Sequence, residues 1–493
     1  MNPKTLAEEV RNADELLAAG PPVLRIPDAR LQIREANAAT RTWVIVLDDD
    51  PTGSQSVQGV PVLTGWTPDD LHWAFDQPAN GFFILTNTRG LNEDEARSTV
   101  ADVAEVIDRV ATELGAHYTL ITRSDSTLRG HYPLETDVLI DLARSAGKPY
   151  DALLIAPAYI AAGRVTEADV HYVRTGSSFV PVGQTNYAQD ATFGFTSSNL
   201  RDYVQEKTHA AVSSRDVLSL SLEDIRVGGA QRVRDVIRSC KNATPIVVNA
   251  LEEADLDVVV LGLILAEAEG ARVLSRTGPS FVAARLGIKG RAPLSHDEVF
   301  AAGERPGNGL VVVGSHVELT TRQVSRLQRD VGDLATIELD VPKLLDPAQA
   351  DEEMARCGDA LVAALQRTDA LLVSSRQQVV GDSGHSSLVI AQTVSHALVT
   401  LTARAVDEVP LKWVLAKGGI TSSDVATEGL EIRRATVAGQ LFPGIVSVWV
   451  HEGDNGRSLK GLPYVVFAGN VGDESTLTGA VRILRGNHAG VGL

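Results

Sequence analysis

WVIVLDDDPTGSQ, residues 43 to 55, decides how the rest of the chain reads. Val44, Ile45, Val46 and Leu47 have the unbroken apolar character of a central strand, and Pro51 with Gly53 forbids its continuation. Asp48, Asp49 and Asp50 are therefore expected at the carboxyl end of that strand, where open α/β sheets place their ligand crevice. Three like charges in one turn repel each other. A fold keeps them when a metal, a cationic side chain or a polyhydroxylated ligand compensates the charge. A solvated acidic turn is the bland alternative, and the apolarity of the strand, which aims the cluster at a sheet edge, weighs against it.

Outward from this turn the chain alternates strands and helices. GVPVLTGW and GFFILTNTRGL read as strands, and Glu93 to about Leu114 as a helix, because Ala96, Val100, Val103, Val106, Ile107 and Val110 recur at helical spacing. A strand follows from Tyr118 to Thr122, then a polar turn and a helix beginning near Ser126 or Thr127. ALLIAPA is a further strand, Gln231 to Ser239 a helical stretch, and TPIVVNALEEADLDVVVLGLILAEAEG a strand and helix. Between Leu286 and Asn308 periodicity fades among prolines and glycines, as in a domain connection. Beyond it LVVVGS, ALLVSS, WVLAKGG and YVVFAG read as strands, with helices from Thr320 and from Ser387 to about Ala405. The pattern predicts an α/β protein of two domains, each a mostly parallel, helix-flanked sheet, with the active site in the cleft between them. The expected division is an amino-terminal helix and linker over 1–40, a first domain over 41–290, a linker over 291–308 and a second domain over 309–493.

With 493 residues the chain is long enough for two cores, and its 44% hydrophobic and 22% charged composition is that of a soluble globular protein. A net charge of −18 argues against general binding to nucleic acid or anionic membranes. Cys240 and Cys357 are too few for a disulfide framework or a cysteine metal site. Two buried thiols in a reducing cytoplasm are the expectation, and the start, MNPKTLAEEVRNADELLAAG, lacks the apolar stretch of a signal peptide.

Three polar turns repeat the logic of the acidic one. NTRG, with Asn87 and Arg89, follows FFILT; RSDSTLRGH, with Arg123, Asp125, Ser126 and Arg129, follows HYTLIT; APAYIAAGR, ending in Arg164, follows ALLI. Parallel neighbouring strands would bring these turns to one crevice. Guanidinium forks facing aspartates suit a small acid that also bears hydroxyls. The candidate substrate-binding residues are thus Asp48, Thr52, Asn87, Arg89, Arg123, Ser126, Arg129 and Arg164. Ser126 or Thr127 would equally well cap the expected helix.

In the second half, three glycine turns follow apolar strands. They contain Gly314 and Ser315; Gly418, Gly419 and Thr421; and Gly469, Asn470 and Gly472. Glycine lets a phosphate approach main-chain N–H groups, so three such turns point to phosphate handling by backbone, although one alone is more often a chain reversal. Neither GxxxxGK[ST] nor a strand followed by GxGxxG occurs.

LDDDPTG, NTRG, RSDSTLRGH, APAYIAAGR with Tyr172 after it, GSHVELTTRQ, KGGITSSDVA and AGNVG stand in an order that resembles the four-carbon acid sugar kinase family over roughly residues 40 to 485. The resemblance implies a sugar-acid-binding domain followed by a nucleotide-binding domain. It also implies ATP-dependent, Mg²⁺-assisted phosphorylation of a tetronate-like substrate such as threonate, erythronate or a 3-oxo-tetronate. The nucleotide contacts it implies fall on Ser315, on Gly418, Gly419, Ile420 and Thr421, and on Gly469. Ile420 stands where the family often has glutamate, and Phe467 where it commonly has lysine. The implied partners are the sugar acid and ATP, with homo-oligomerisation left open. Transfer to an alcohol needs a carboxylate to take the hydroxyl proton, and Asp50, Asp49 and Asp125 are the candidates, in that order. Two other readings stand beside this one. Asp48 to Thr52 also fits the DxDxT signature of haloacid-dehalogenase-like phosphatases, with Asp48 as nucleophile and Asp50 as acid/base, Lys148 and the aspartate of GDSGH being the only further groups on offer. A non-catalytic sugar-acid sensor is the third.

Overall fold

The computed structural model describes residues 8–50, 53, 57–375, 384–442, 444–453, 457 and 459–486, with only the backbone of 384–389. Two compact units emerge, one of residues 1–57 and 65–290, the other of residues 58–64 and 291–493.

The first unit is built on seven parallel strands. In spatial order they are Leu218–Leu220, Thr244–Val248, Ala152–Ala156, Val273–Thr277, His117–Arg123, Thr42–Asp48 and Gly81–Leu85. Gly81–Leu85 and Ala152–Ala156 are buried at every position, so each strand needs cover on both faces. Among the covering helices are Glu93–Leu114, packed on Leu134–Ser145, and Glu253–Ala268, packed on Ala29–Thr40 and Pro279–Arg285. Glu93–Leu114 has the bounds its spacing predicts. Asn92 Oδ1 accepts from the Glu95 N–H at 3.0 Å, the Glu95 carboxylate accepts from the Asn92 N–H at 3.1 Å, and Gly115 closes the helix in the left-handed region.

The helix expected near Ser126 or Thr127 starts instead at Leu134. Leu128 at φ 70° and Gly130 at φ 120° lie in a region that a right-handed helix excludes, so residues 124–131 remain an irregular loop and neither hydroxyl caps a helix. A small antiparallel sheet that sequence periodicity does not reveal pairs Arg11–Asn12, Ser178–Pro181, Val170–Thr175 and Arg164–Glu167 in that order. Its apolar side closes over Leu16, Val165, Tyr172, Phe179, Leu222 and Leu251. The segment 1–40, expected as a helix and a linker, thus supplies from its described residues a short strand and the helices Ala13–Leu17 and Ala29–Thr40.

In the second unit five parallel strands run in the order Pro463–Phe467, Leu411–Lys417, Asn308–Val313, Ala370–Ser374 and Ala335–Leu339. Val446–His451, Arg434–Phe442 and Val60–Leu63 extend the sheet antiparallel beyond Pro463–Phe467. Residues 58–64 were expected within the first domain. They belong with the second unit because Val60–Leu63 pairs with Arg434–Val437 along its length. The stretch 291–308, expected as a linker, contributes Leu294, Val299 and Phe300 to that unit's core. No helix among the described residues is long and apolar enough to cross a membrane.

Candidate functional site

Register fixes which groups can meet at the carboxyl edge of the first sheet. Leu85, Asp48, Arg123, Thr277 and Ala156 stand opposite one another across five neighbouring strands, so the turns that follow leave the sheet at one level. Asp48, the last residue of its strand, is fully buried; its Oδ1 accepts from Arg123 Nη1 at 2.9 Å and from the Asp50 N–H at 3.2 Å. Its Oδ2 is buried with no hydrogen-bond partner. A Cβ on Gly53 would collide with this carboxylate, so only glycine lets the turn fold back over it.

Asp49 is gripped by one edge of Arg89, Nη2 to Oδ1 at 2.5 Å and Nε to Oδ2 at 3.2 Å, while Arg89 Nη1 reaches Asp50 Oδ2 at 2.7 Å. The backbone sets up this fork: the N–H groups of Thr86 and Asn87 bond the Asp48 carbonyl, Asn87 takes a left-handed φ of 52°, and the Arg89 N–H bonds the Asp49 carbonyl. Asp125 Oδ2 accepts from Arg129 Nε at 2.6 Å and from the Thr127 hydroxyl. Arg129 also lies 3.7 Å from Asp190 and over the Tyr187 ring. Ser126 is buried, and its carbonyl meets His171 Nε2 at 2.8 Å; Tyr203 donates to the Leu128 carbonyl at the same distance, so the small sheet and the helix Leu200–Lys207 hold the loop. Arg164 donates through Nη1 to the Ala162 carbonyl at 2.7 Å, and its Nε is buried without a hydrogen-bond partner. Asp48, Asp49, Asp50, Arg89, Arg123, Asp125 and Arg129 thus form one ionic cluster, and Tyr159 sits in the field of both Arg123 and Arg164. Thr52 lies outside the described residues.

Two residues at this edge escape sequence reasoning. Glu135 is buried and accepts from the Thr88 hydroxyl at 2.5 Å; burial, and then the charge of Asp49, raise its pKa. Arg276 is 2% exposed, stacks 4.9 Å from the Tyr132 ring, and has Nε and Nη2 without hydrogen-bond partners. A Cβ on Gly130 would lie 3.0 Å from Asp49 Oδ2 and 3.9 Å from Arg276 Nη2, so glycine keeps open a gap between the carboxylate and the guanidinium. The available signal was ARVLSRTGPS, a short apolar run followed by a Gly-Pro helix start.

Burial pushes the Asp48 pKa up to about 7 despite Arg123. Burial would raise Asp125 too, but Arg89, Arg129 and the Thr127 hydroxyl outweigh it and hold that carboxyl well below its ordinary value. A carboxyl that protonates more readily when folded stabilises the fold at low pH. The contribution of Asp48 is complete below about pH 4 and is lost as pH rises through about 7, roughly 1.4 kcal/mol per pKa unit at most. Urea unfolding between pH 5 and 8 should therefore show a smaller loss of stability with pH in Asp48→Asn than in the parent. An unchanged slope would mean that Asp48 ionises normally. His171, lowered to about 4 by burial, acts in the opposite sense in both proteins and cancels in the comparison.

In the second unit, Val313, Lys417 and Phe467 stand in register on three adjacent parallel strands, and a glycine turn follows each. The turns touch. A Cβ on Gly469 would lie 2.6 Å from Ser315 Oγ and 3.8 Å from Gly418 Cα, and one on Gly418, at φ 130°, would lie 2.9 Å from Thr421 Oγ1. Ser315 Oγ is 3.1 Å from Thr320 Oγ1, which donates to the Gly469 carbonyl at 2.8 Å. A Cβ on Gly419 would project into open space. Thr421 is buried against this junction, whereas Ile420 is 66% exposed. Lys417 is fully buried, its Nζ donating to the Ala468 carbonyl at 3.0 Å and lying 3.8 Å from the Phe467 ring centre. An ammonium thus comes from the neighbouring strand to the turn after Phe467. Among the described residues no group of three or more His, Cys, Asp or Glu side chains is placed to hold a metal.

Comparison with known proteins agrees with this division. Residues 44–285 match a sugar-binding amino-terminal domain family, and residues 310–477 a nucleotide-binding carboxy-terminal domain family. A Salmonella typhimurium LT2 protein described provisionally as a tRNA synthase has a similar structure, with a TM-score of 0.64 and 17% identity over 89% of this chain and 99% of its own. A Haemophilus influenzae protein from a family of unknown function gives 0.61 and 18% over 89% and 100%. At such identities the likeness is one of fold. No functionally curated protein matches the chain. The chain therefore joins a sugar-binding amino-terminal domain to a nucleotide-binding carboxy-terminal domain, both carried on helix-flanked, mostly parallel sheets.

Proposed function

We propose that the protein is an ATP-dependent kinase that phosphorylates a hydroxyl of a four-carbon sugar acid, a tetronate or 3-oxo-tetronate. The observation that carries this reading is the pairing, in one chain, of a carboxylate and guanidinium cluster at the edge of a sugar-binding sheet with three converging glycine turns in a nucleotide-binding sheet. A polyol acid needs cations for its carboxylate and acceptors for its hydroxyls, and the edge offers both. Phosphoryl transfer needs positioning and charge neutralisation more than covalent chemistry from the protein. Asp48 and Asp49 are engaged by arginines, which leaves Mg²⁺ to be held chiefly by nucleotide phosphates and water.

The phosphatase reading fits less well. Lys148 pairs with Asp108 at 3.0 Å just ahead of the strand Ala152–Ala156, at the opposite sheet edge from Asp48, and the aspartate of GDSGH, Asp382, lies outside the described residues. A coupled assay of ATP consumption over a panel of four-carbon sugar acids tests the proposal. A kinase consumes ATP only with an acid present, while binding without turnover would make the protein a sensor.

Arg129 is committed to Asp125 and Asp190, so Arg164 and Arg276, whose buried Nε atoms have no hydrogen-bond partner, suit the substrate carboxylate better. Arg164→Ala or Arg276→Ala should weaken sugar-acid binding by about 2–5 kcal/mol in calorimetry. Parental affinity in both variants would place the carboxylate elsewhere.

A further inference from the structure

Among the described residues, Lys417, the cation beneath the third glycine turn, has no anionic partner. Lys417 ends the strand Leu411–Lys417 with its ammonium enclosed beneath the third turn, bonded to main-chain carbonyls of Ala468 and Gly469 at 3.0 and 3.4 Å and resting on the Phe467 ring. The elements around it present Val313, the Ser315 and Thr320 hydroxyls, and the backbone of residues 314–315, 418–419 and 468–469; among the described residues no carboxylate or second cation shifts its titration. An isolated buried charge is costly, and a buried lysine answers by losing its proton. Burial alone brings Lys417 down to about 7. Phosphate oxygens arriving at the glycine turns would supply the missing counter-charge.

We propose that Lys417 is the buried counter-charge for the nucleotide's phosphates and takes up a proton from solution when they bind. The inference rests on the glycine turns being the phosphate site. Carbonyl bonds hold the Lys417 amino group in place before the ligand arrives, so the lysine needs no movement, only protonation. At the same time it braces Gly469, the glycine that keeps the junction with Ser315 open.

Calorimetric titration of the full chain with magnesium-ATP at pH 8, in two buffers of different ionisation enthalpy, counts the protons exchanged. With a free-state pKa of about 7, roughly a tenth of Lys417 is charged at that pH, so uptake of about 0.5–0.9 proton per nucleotide is expected. Lys417→Arg, always charged, should bind with that uptake abolished, and folded Lys417→Met should bind at least tenfold more weakly, also without it. Binding by the parent with no uptake overturns the inference alone, as does uptake that persists in either variant. Absence of any magnesium-ATP binding by the parent overturns the reading of the turns and the inference with it.

Discussion

Gly419→Val is expected to lower ATP affinity by at least about 10²-fold while sugar-acid affinity and unfolding behaviour stay near parental. Position 419 is the one place on the three turns where this separation is clean. A Cβ there meets no atom within 4 Å beyond its chain neighbours and its own helix, so the valine should be accommodated by the fold and intrude only on a ligand. At Gly469 the same change would press on Ser315 Oγ, and at Gly418 on Thr421 with φ at 130°, so loss of binding in those variants would mix strain with occlusion. Separate calorimetric titrations with ATP and with the sugar acid decide the matter. Undiminished ATP affinity would remove the second turn from the phosphate site, and loss of both affinities in a folded protein would break the division of labour.

Much of the frame was legible because its signals are local. The helix Glu93–Leu114 carries its own capping box, apolar period and terminal glycine, and Thr42–Asp48 announces itself by four consecutive buried aliphatics. What failed was whatever depended on distant partners. Arg164–Glu167 and Val170–Thr175 are short and largely polar, and become strands through pairing with each other and with Ser178–Pro181. The loop 124–131 looked like a helix start by composition, yet left-handed Leu128 and Gly130 and bonds from His171 and Tyr203 hold it irregular.

The site shows the same boundary. That aspartates and arginines gather at strand ends could be read from the motifs. That Asp48 takes Arg123 while Asp49 takes Arg89 follows from register between strands far apart in sequence. Lys417 and Arg276 stayed hidden for a related reason: each is a charged residue at or near the end of an apolar strand, and only neighbouring strands reveal that its charge is enclosed.

That pairing sorts the four carboxylates, Asp48 and the three candidate bases. Asp48 is sealed, one oxygen on Arg123 and the other beneath Gly53. Asp49 spends both oxygens on Arg89, a fork that holds it in place and leaves neither oxygen for a substrate proton, although burial outweighs the arginine and raises its pKa. Asp125 is kept ionised by Arg89 and Arg129, which suits orienting a hydroxyl better than accepting its proton. Asp50 differs in that its side chain is 24% exposed, with Arg89 Nη1 at 2.7 Å, so a substrate hydroxyl can approach a carboxylate that is already oriented. Asp50→Asn keeps the shape and an acceptor for Arg89 but cannot take a proton. It should lower kcat by about 10²–10⁴ with ATP affinity unchanged, the range for loss of a general base. Asp49→Asn should instead disturb the Arg89 fork and weaken both substrate binding and stability, because one oxygen of a buried ion pair becomes a donor facing a donor. Single-turnover kinetics beside urea unfolding separates the two. Near-parental kcat in Asp50→Asn with collapse in Asp49→Asn would exchange their roles, and full activity in both would show that the acidic turn binds substrate without taking part in proton transfer.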